Sequence, residues 1–216
     1  MAGMRESGTI RSASGAQMLD WGAYTVPNSI PSECGDAYCI IQESDRVVVA
    51  VADGAGTGAE ACRSANQCLD TIRTGSGADL QTRFDRAHAA LRGTRGAALA
   101  IAHIDLPEGT LEWAAVGDVD GVHIRETGPH RFVGSLVQRG GTVGHRCPRI
   151  FVARATLDSG DIVILSTDGI CRDYQHSVPR IADPLELSVL VDDAFGQPGD
   201  DRLVLALRSA EAALGD

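Results

Sequence analysis

The run VVVAVA at residues 47–52 constrains the fold of this chain more than any other segment. A short valine-rich run bounded by turn residues is typical of a buried strand. Asp53 and Gly54 follow this run directly, and the next residues, AGTGA, contain two further glycines. The segment is therefore either the acidic end of a strand that holds metal ions or a backbone cradle for a nucleotide phosphate.

Further strands are predicted in close succession along the chain. Residues 37–43 and 46–52 flank the turn Ser44-Asp45 and predict a hairpin. Strands that follow one another in this way argue against alternating βαβ units and for an antiparallel, layered α+β fold. The other predicted strands are 96–105, 109–118, 121–127, 129–138, 149–157, 161–168 and 202–209, and helices are predicted over 58–73, 78–92 and 183–195.

The first predicted helix carries two expectations about its side chains. Thr57 is predicted to cap its N-terminus, with Glu60 as the partner in a capping box. Cys62 and Cys68 are interpreted as small core residues on its buried face. None of the six cysteines forms a C-x-x-C pair, so the sequence predicts free thiols in a reducing compartment.

Length and charge limit the classes of function that need consideration. The 216 residues suffice for one domain, which we expect over residues 18–216, with residues 1–17 as a flexible arm or an edge strand. A net charge of -10 disfavours a nucleic-acid binder and a protein held on anionic lipid. The chain contains no apolar run of membrane-spanning length, and because residues 1–17 lack an apolar stretch we do not expect them to be a secretory signal. We therefore expect a cytoplasmic protein that has neither nucleic acid nor membrane as a partner.

Aspartates recur at the ends of the predicted strands. Asp53 and Asp168 follow the apolar strands VVVAVA and IVILST directly. A carboxylate at the end of a buried strand is partly desolvated, which is unfavourable unless a cation compensates its charge. Only Arg172 and Arg202 lie close in sequence to these aspartates. The full set of aspartates in such positions is Asp36, Asp53, Asp118, Asp168, Asp200 and Asp201.

Divalent cations would compensate these carboxylates. Mg²⁺ and Mn²⁺ prefer carboxylate, carbonyl and water oxygens as ligands. Two such ions that share one carboxylate can clamp a phosphate and generate a nucleophilic water at neutral pH. The sequence supplies the carboxylates that such a site needs, so it favours the metal interpretation of the opening segment.

The ordered set GD…DG-x-G…GD…DG…DD resembles the PPM-type metal-dependent serine/threonine protein phosphatases, also called the protein phosphatase 2C-like family. The segment GGTVGHRCPRI at 140–150, followed by LDSGDIVILSTDGI, is similar to the SpoIIE/RsbX-like bacterial branch of that family. The resemblance covers residues 20–208. It implies a four-layer α-β-β-α sandwich of two antiparallel sheets flanked by helices, and hydrolysis of a phosphoserine or phosphothreonine ester by a metal-activated water.

The resemblance also implies roles for individual residues. Asp53 matches the aspartate that bridges two metals, and Gly54 matches the glycine whose carbonyl oxygen binds one of them. Asp168 matches a ligand of the second metal. Asp36 matches the acidic residue of the first motif, which reaches the metal through water. Asp36, Asp53 and Asp168 are therefore the predicted catalytic residues, at a site that takes two Mn²⁺ or Mg²⁺ ions.

Three further aspartates match outer positions of the family pattern. Asp200 matches a second-metal ligand, and Asp201 matches the supporting position beside it. Asp118 matches the aspartate of a third metal site, but Val119 and Asp120 stand where the family has Ser-Arg, which argues against a third ion.

Three other departures bear on the chemistry. Gly35 precedes Asp36, so one outer carboxylate of the first motif is absent, and Ala55 replaces a histidine. The first motif also lacks a phosphate-binding arginine. The resemblance implies a phosphorylated protein as substrate, with a STAS-domain protein of a stressosome or partner-switching module as the expected partner, and a monomeric enzyme.

Two alternatives remain open from the residues alone. GAGTGA matches the pattern G-x-G-x-x-A at Gly54, Gly56 and Ala59, which favours a nucleotide-binding protein. In that case Asp53 would face a pyrophosphate, and no series of parallel βαβ units follows. The chain could also be a catalytically weak binding module with the phosphatase fold. His145 is expected on a surface loop near the site.

Overall fold

The computed structural model describes residues 3–29, 33–127, 130–178 and 183–211. The helices are α1 (Ala59–Arg73), α2 (Leu80–Ala90) and α3 (Pro184–Phe195), with a 3₁₀ helix at Arg172–His176. The strands are β1 (Met4–Arg11), β2 (Gln17–Val26), β3 (Asp36–Glu43), β4 (Arg46–Gly54), β5 (Ala97–Asp105), β6 (Thr110–Val116), β7 (Asp120–Thr127), β8 (His130–Ser135), β9 (Gln138–Arg139), β10 (Ala153–Thr156), β11 (Ile162–Ser166) and β12 (Arg202–Glu211).

These strands form two sheets. The first sheet has the order β1-β2-β12-β11-β7-β8, and the second has the order β10-β6-β5-β4-β3. Neighbouring strands in both orders are antiparallel, and β9 adds a short parallel pairing with β6. Because β4 lies between antiparallel β3 and β5, its glycine-rich end is not the turn of a βαβ unit. This topology does not support the nucleotide-binding alternative.

The two sheets pack face to face between layers of helices. Val47, Val49 and Val51 of β4 belong to the core between the sheets, whereas the alternate residues of the same strand pack beneath α1 and α2. The other sheet is covered by α3 and the 3₁₀ helix. Covering on both sides explains why β4 is a continuous apolar run rather than an alternating one. The predicted four-layer α-β-β-α sandwich is confirmed.

Several predicted boundaries differ from the structure. The hairpin over 37–52 is confirmed as β3 and β4, joined at Ser44-Asp45 with Ser44 in the left-handed region (φ 58°). No strand was predicted over residues 17–26, where β2 lies between β1 and β12. The strand predicted over 149–157 spans only the four residues of β10. Residues Met4–Arg11 form an edge strand of the first sheet.

The start of α1 also differs from the sequence expectation. Gly58, not Thr57, is the N-cap, and no side chain caps this end. Glu60 instead pairs with Arg95 at 2.6 Å, so the predicted capping box is wrong. Cys68 is fully buried as predicted, but Cys62 is only partly buried. Within the part of the chain that the structure describes, no helix is long and apolar enough to cross a membrane.

Candidate active site

One end of the sandwich collects the aspartates of both sheets. In the second sheet, Asp36 at the start of β3 lies directly opposite Asp53 near the end of β4. In the first sheet, Ser166 at the end of β11 pairs with Asp120 of β7 and Val204 of β12. The segment before β7 carries Asp118, the segment after β11 carries Asp168, and the segment before β12 carries Asp200 and Asp201. These three segments therefore meet at the same end of the sandwich as Asp36 and Asp53.

Three of these carboxylates form a compact group. One oxygen from each of Asp53, Asp118 and Asp168 lies within 4.8 Å of the other two. They face a cleft of about 330 Å³ between the sheet ends. The cleft is lined by Asp53, Ala55, Gly56, Thr57, Ala98, Asp118, Gly141, Thr142, Asp168 and Asp200.

The closeness of these groups disfavours their ionised forms. Burial and then the charge of Asp36 raise the pKa of Asp53 to about 9. Burial also raises the pKa of Asp36 to about 7, although the hydrogen bond from Thr167 opposes this rise. Burial and the charges of Asp118 and Asp200 raise the pKa of Asp168. Without a cation, the cluster therefore retains protons at neutral pH.

Arginine side chains do not neutralise the cluster. Arg172 lies 4.0 Å from Asp120, and Arg202 is 2.6 Å from Asp192. Among the described residues, none of the six predicted aspartates forms an ion pair with an arginine or histidine. Closely spaced carboxylates without a basic partner fit a hard divalent cation, which takes oxygen ligands.

Asp36 is held by a residue that sequence reasoning did not assign to the site. The hydroxyl of the fully buried Thr167 donates to Asp36 Oδ2 at 2.6 Å, and Thr167 Oγ1 itself accepts from the backbone N–H of Leu203 at 3.0 Å. The only sequence signal was the position of Thr167 immediately before Asp168. Its contact with Asp36 depends on the packing of one sheet on the other.

Asp201 binds backbone groups of the segment that precedes β3. Its two carboxylate oxygens accept hydrogen bonds from the backbone N–H groups of Asn28 at 2.7 Å and Gly35 at 2.8 Å. Asp201 thereby fixes the segment that leads into Asp36. Asp200 lines the cleft and accepts a hydrogen bond from the N–H of Asp201.

Gly54 is fixed at the end of β4 by close backbone packing. A Cβ atom at this position would lie 2.0 Å from the carbonyl oxygen of Ala61 in α1. The N–H of Gly54 donates to the carbonyl of Gly35 at 3.0 Å, which ties the end of β4 to the start of β3. Only glycine permits this approach of helix and strand beside Asp53.

The residues that depart from the family pattern form a polar network beside Asp118. Buried Asp120 accepts hydrogen bonds from Gln175 at 2.5 Å and from Gln138 at 3.3 Å. Gln138 also donates to the carbonyl of Val119 at 2.7 Å, and Arg172 donates to Gln138 at 2.9 Å. This network braces the loop that carries Asp118.

The structure also locates the remaining candidates. Ala55, in place of the family's histidine, lines the cleft, together with Thr57 and Thr142, which sequence reasoning did not predict. His145 lies on an exposed loop, 2.9 Å from the carbonyl of Arg95, and is not among the residues that line the cleft.

Comparison with known proteins decides the family. The family model described as Stage II sporulation protein E (SpoIIE) matches residues 43–214. The chain belongs to the SpoIIE family. The predicted resemblance to PPM-type, protein phosphatase 2C-like enzymes of the SpoIIE/RsbX branch is confirmed, and so is the predicted class, a serine/threonine protein phosphatase.

Individual members of this group have related sequences and structures. The chain is 24% identical to phosphoserine phosphatase RsbX of Bacillus subtilis (strain 168) over 162 residues, which are 75% of this chain and 77% of that protein. A crystal structure of RsbX in complex with magnesium has a TM-score of 0.80, at 19% identity, and covers 95% of this chain and all of that one. A second structure comes from work that describes the bacterial stressosome as a modular system adapted to control secondary messenger signalling. It has a TM-score of 0.79 at 28% identity, and the match covers 88% of this chain and 99% of that one.

Proposed function

We propose that this SpoIIE-family chain hydrolyses phosphoserine or phosphothreonine esters on a partner protein, with Mn²⁺ or Mg²⁺ held by its aspartate cluster. The observation that carries the proposal is the group formed by Asp53, Asp118 and Asp168, whose oxygens lie within 4.8 Å of one another without a basic partner among the described residues. The family is metal-dependent, which agrees with this donor set.

The aspartates would share the binding of two ions. Asp53 is central because it lies opposite Asp36 in the sheet and within 4.8 Å of both Asp118 and Asp168. Asp200 and the carbonyl of Gly54 would complete the set. A divalent cation bound there would supply a Lewis acid that activates water and neutralises the phosphate. Because an oxygen of Asp118 lies within 4.8 Å of oxygens of Asp53 and Asp168, we assign Asp118 to the main cluster.

Other residues of the chain position the substrate and the ligands. Thr57 and Thr142 line the cleft, where their hydroxyl groups can donate to phosphate oxygens. Thr167 orients Asp36, and Asp201 fixes the segment before it. Among the described residues that line the cleft there is neither a cysteine nor a histidine, so the site does not favour a phosphocysteine or phosphohistidine intermediate.

Two of the similarities support a class of partner. RsbX is a phosphoserine phosphatase, and the structure at 28% identity comes from work on the bacterial stressosome. These similarities support a phosphorylated STAS-domain protein of a stressosome or partner-switching module as the substrate of this chain. We further propose that the enzyme acts as a monomer in the cytoplasm.

The test is dephosphorylation of a phosphoserine peptide and of phosphorylated STAS-domain proteins, with Mn²⁺, with Mg²⁺ and with EDTA. We expect turnover with either metal and none with EDTA. Asp53→Asn is expected to lower turnover at least about 100-fold, because a shared metal ligand is lost. Asp193→Asn, which changes an exposed aspartate on α3, is the matched control and is expected to retain full activity.

Two results would contradict the proposal. Turnover that persists in EDTA would exclude the metal mechanism. Specific binding of a phosphorylated STAS protein without any turnover would instead identify a binding module that has kept the phosphatase fold.

A further inference from the structure

One segment of this acidic chain, beside the cleft, carries arginines and no acidic residue. The chain has a net charge of -10, yet residues 127–157 contain five arginines and no aspartate or glutamate. Two of these arginines are neutralised by carboxylates elsewhere, since Arg131 pairs with Glu126 and Arg154 pairs with Glu112. The other three, Arg139, Arg146 and Arg149, lie in the segment 139–149, which we call the arginine loop.

The three arginines of this loop are available for a partner. Each is exposed, and none makes a side-chain hydrogen bond or an ion pair with the described residues. Arg139 instead lies over the ring of Phe151, at 6.0 Å from its centroid. Phe151, just after the loop, is itself 44% exposed, so an apolar contact surface lies next to the charges of the loop.

The arginine loop is fixed to the frame of the active site. Buried Val143 exchanges two backbone hydrogen bonds with Ala97 at 2.9 and 3.0 Å, and Thr142 exchanges two with Arg146 at 2.9 Å each. The carbonyl of Arg139 accepts from the N–H of Gly117, the residue before Asp118, at 2.9 Å. The backbone that carries the three arginines is therefore fixed before a partner binds.

The same loop forms one wall of the cleft. Gly141 and Thr142 line it together with Asp53, Asp118 and Asp168. A phosphoserine that enters the cleft must therefore bring its neighbouring residues past this loop. Acidic neighbours would be repelled by the aspartate-rich end of the sandwich but attracted by unpaired arginines at its rim.

We propose that the arginine loop is the docking surface for an acidic segment that flanks the phosphorylated residue of the substrate protein. This inference rests on the proposed phosphatase function and names a substrate class for it: phosphoproteins with glutamate or aspartate next to the phosphoserine or phosphothreonine. Arginine suits this role because its guanidinium group can form two parallel hydrogen bonds with one carboxylate.

The test compares two phosphoserine peptides, one with glutamates on both sides of the phosphoserine and one with glutamines at the same positions. The triple variant Arg139→Ala, Arg146→Ala, Arg149→Ala is expected to raise KM for the glutamate peptide about tenfold, as the loss of three partly exposed ion pairs predicts. Its kcat, its KM for the glutamine peptide and its hydrolysis of p-nitrophenyl phosphate should stay unchanged. The control variant Arg11→Ala, Arg46→Ala, Arg86→Ala removes the same charge away from the cleft and should leave every value unchanged.

Two kinetic results would overturn the inference. One is equal KM values for both peptides in the unaltered protein. The other is an equal loss of p-nitrophenyl phosphate hydrolysis in the triple variant, which would place the loop in catalysis instead of docking.

Direct binding separates this inference from the proposed function. If the unaltered protein dephosphorylates neither peptide, fluorescence anisotropy with the labelled glutamate peptide still measures the docking surface. Binding that weakens about tenfold in the triple variant but not in the control supports the inference. Equal binding by both variants would overturn it. Binding of single-stranded DNA or phosphatidylserine vesicles as tight as that of the peptide would also overturn it, because the loop would then attract any polyanion.

Discussion

The hydroxyl of Thr167 donates a 2.6 Å hydrogen bond to Asp36, and this bond joins the two sheets at the end where the aspartates converge. Thr167 follows β11 of one sheet, and Asp36 begins β3 of the other. The same hydroxyl oxygen accepts from the backbone N–H of Leu203 at the start of β12. The Thr167 side chain thus sets the position of the Asp36 carboxylate relative to β12, the strand that follows Asp200 and Asp201.

Replacement of Thr167 tests this link. Thr167→Val keeps the shape of the side chain but leaves Asp36 without its donor and the N–H of Leu203 without its acceptor. We expect the free energy of unfolding to fall by about 1–3 kcal/mol, measured by urea denaturation. Thr167→Ser keeps the hydroxyl and should retain most of the stability. Equal stability of the two variants would show that the hydrogen bond contributes nothing.

The raised pKa values of Asp53 and Asp36 predict how pH affects the metal-free protein. In the unfolded chain an aspartate has a pKa of about 3.9, whereas in the folded protein the pKa of Asp53 is about 9 and that of Asp36 about 7. Between these limits the folded state binds more protons than the unfolded state. The free energy of unfolding therefore falls as pH rises from about 4 to about 9.

Divalent cations should reverse this trend, because they bind the ionised carboxylates. Thermal unfolding between about pH 5 and about pH 8, in EDTA and in Mn²⁺, measures both effects. We expect the stabilisation by Mn²⁺ to grow with pH and the slope in EDTA to be shallower in Asp53→Asn. A stability in EDTA that rises steadily across this range would contradict the assignment.

Gly54 is predicted to be irreplaceable for packing. In Gly54→Ala the added methyl group would lie 2.0 Å from the carbonyl oxygen of Ala61, so α1 must move away from β4. We expect a loss of about 2–4 kcal/mol in the free energy of unfolding. Gly140→Ala is the control, since nothing lies within 4 Å of its added carbon, and it should change stability by less than about 0.5 kcal/mol. A stable Gly54→Ala protein would mean that the helix and the strand are less closely packed.

Asp118 is predicted to bind metal within the main cluster. Asp118→Asn should weaken Mn²⁺ binding about tenfold and lower turnover, because one anionic ligand becomes neutral. The fold should be unaffected, since the Asp118 side chain is exposed. Asp173→Asn, at an exposed position of the 3₁₀ helix, is the control. Unchanged Mn²⁺ affinity in Asp118→Asn would place this residue outside the main cluster.

Local sequence features predicted much of the fold and the position of two aspartates at strand ends. The hairpin of β3 and β4 was predictable because a two-residue turn separates two apolar runs. That β4 is a buried strand was predictable because its apolar run is uninterrupted. Asp53 and Asp168 were identifiable because each directly follows such a run.

Features that depend on distant partners were not predictable in this way. Strand β2, QMLDWGAYTV, mixes polar and apolar residues, and its burial depends on pairing with β12 from the other end of the chain. The cap of α1 differs from the prediction, because Thr57 and Glu60 fit the pattern of a capping box. In the structure Gly58 is the N-cap, with φ at 72°, and Glu60 forms an ion pair with Arg95. The contact of Thr167 with Asp36 likewise exists only once the sheets have packed.

Isothermal titration calorimetry of the purified protein with Mn²⁺ tests most directly the central claim that the aspartate cluster is a two-metal centre. We expect two ions per chain in the unaltered protein, because the cluster offers enough carboxylates for two sites. Asp53→Asn should lose binding at both sites, since Asp53 is the shared ligand, whereas Asp193→Asn should bind as the unaltered protein does. No saturable Mn²⁺ binding, or the same binding in Asp53→Asn as in the unaltered protein, would contradict the assignment of this cluster as a two-metal centre.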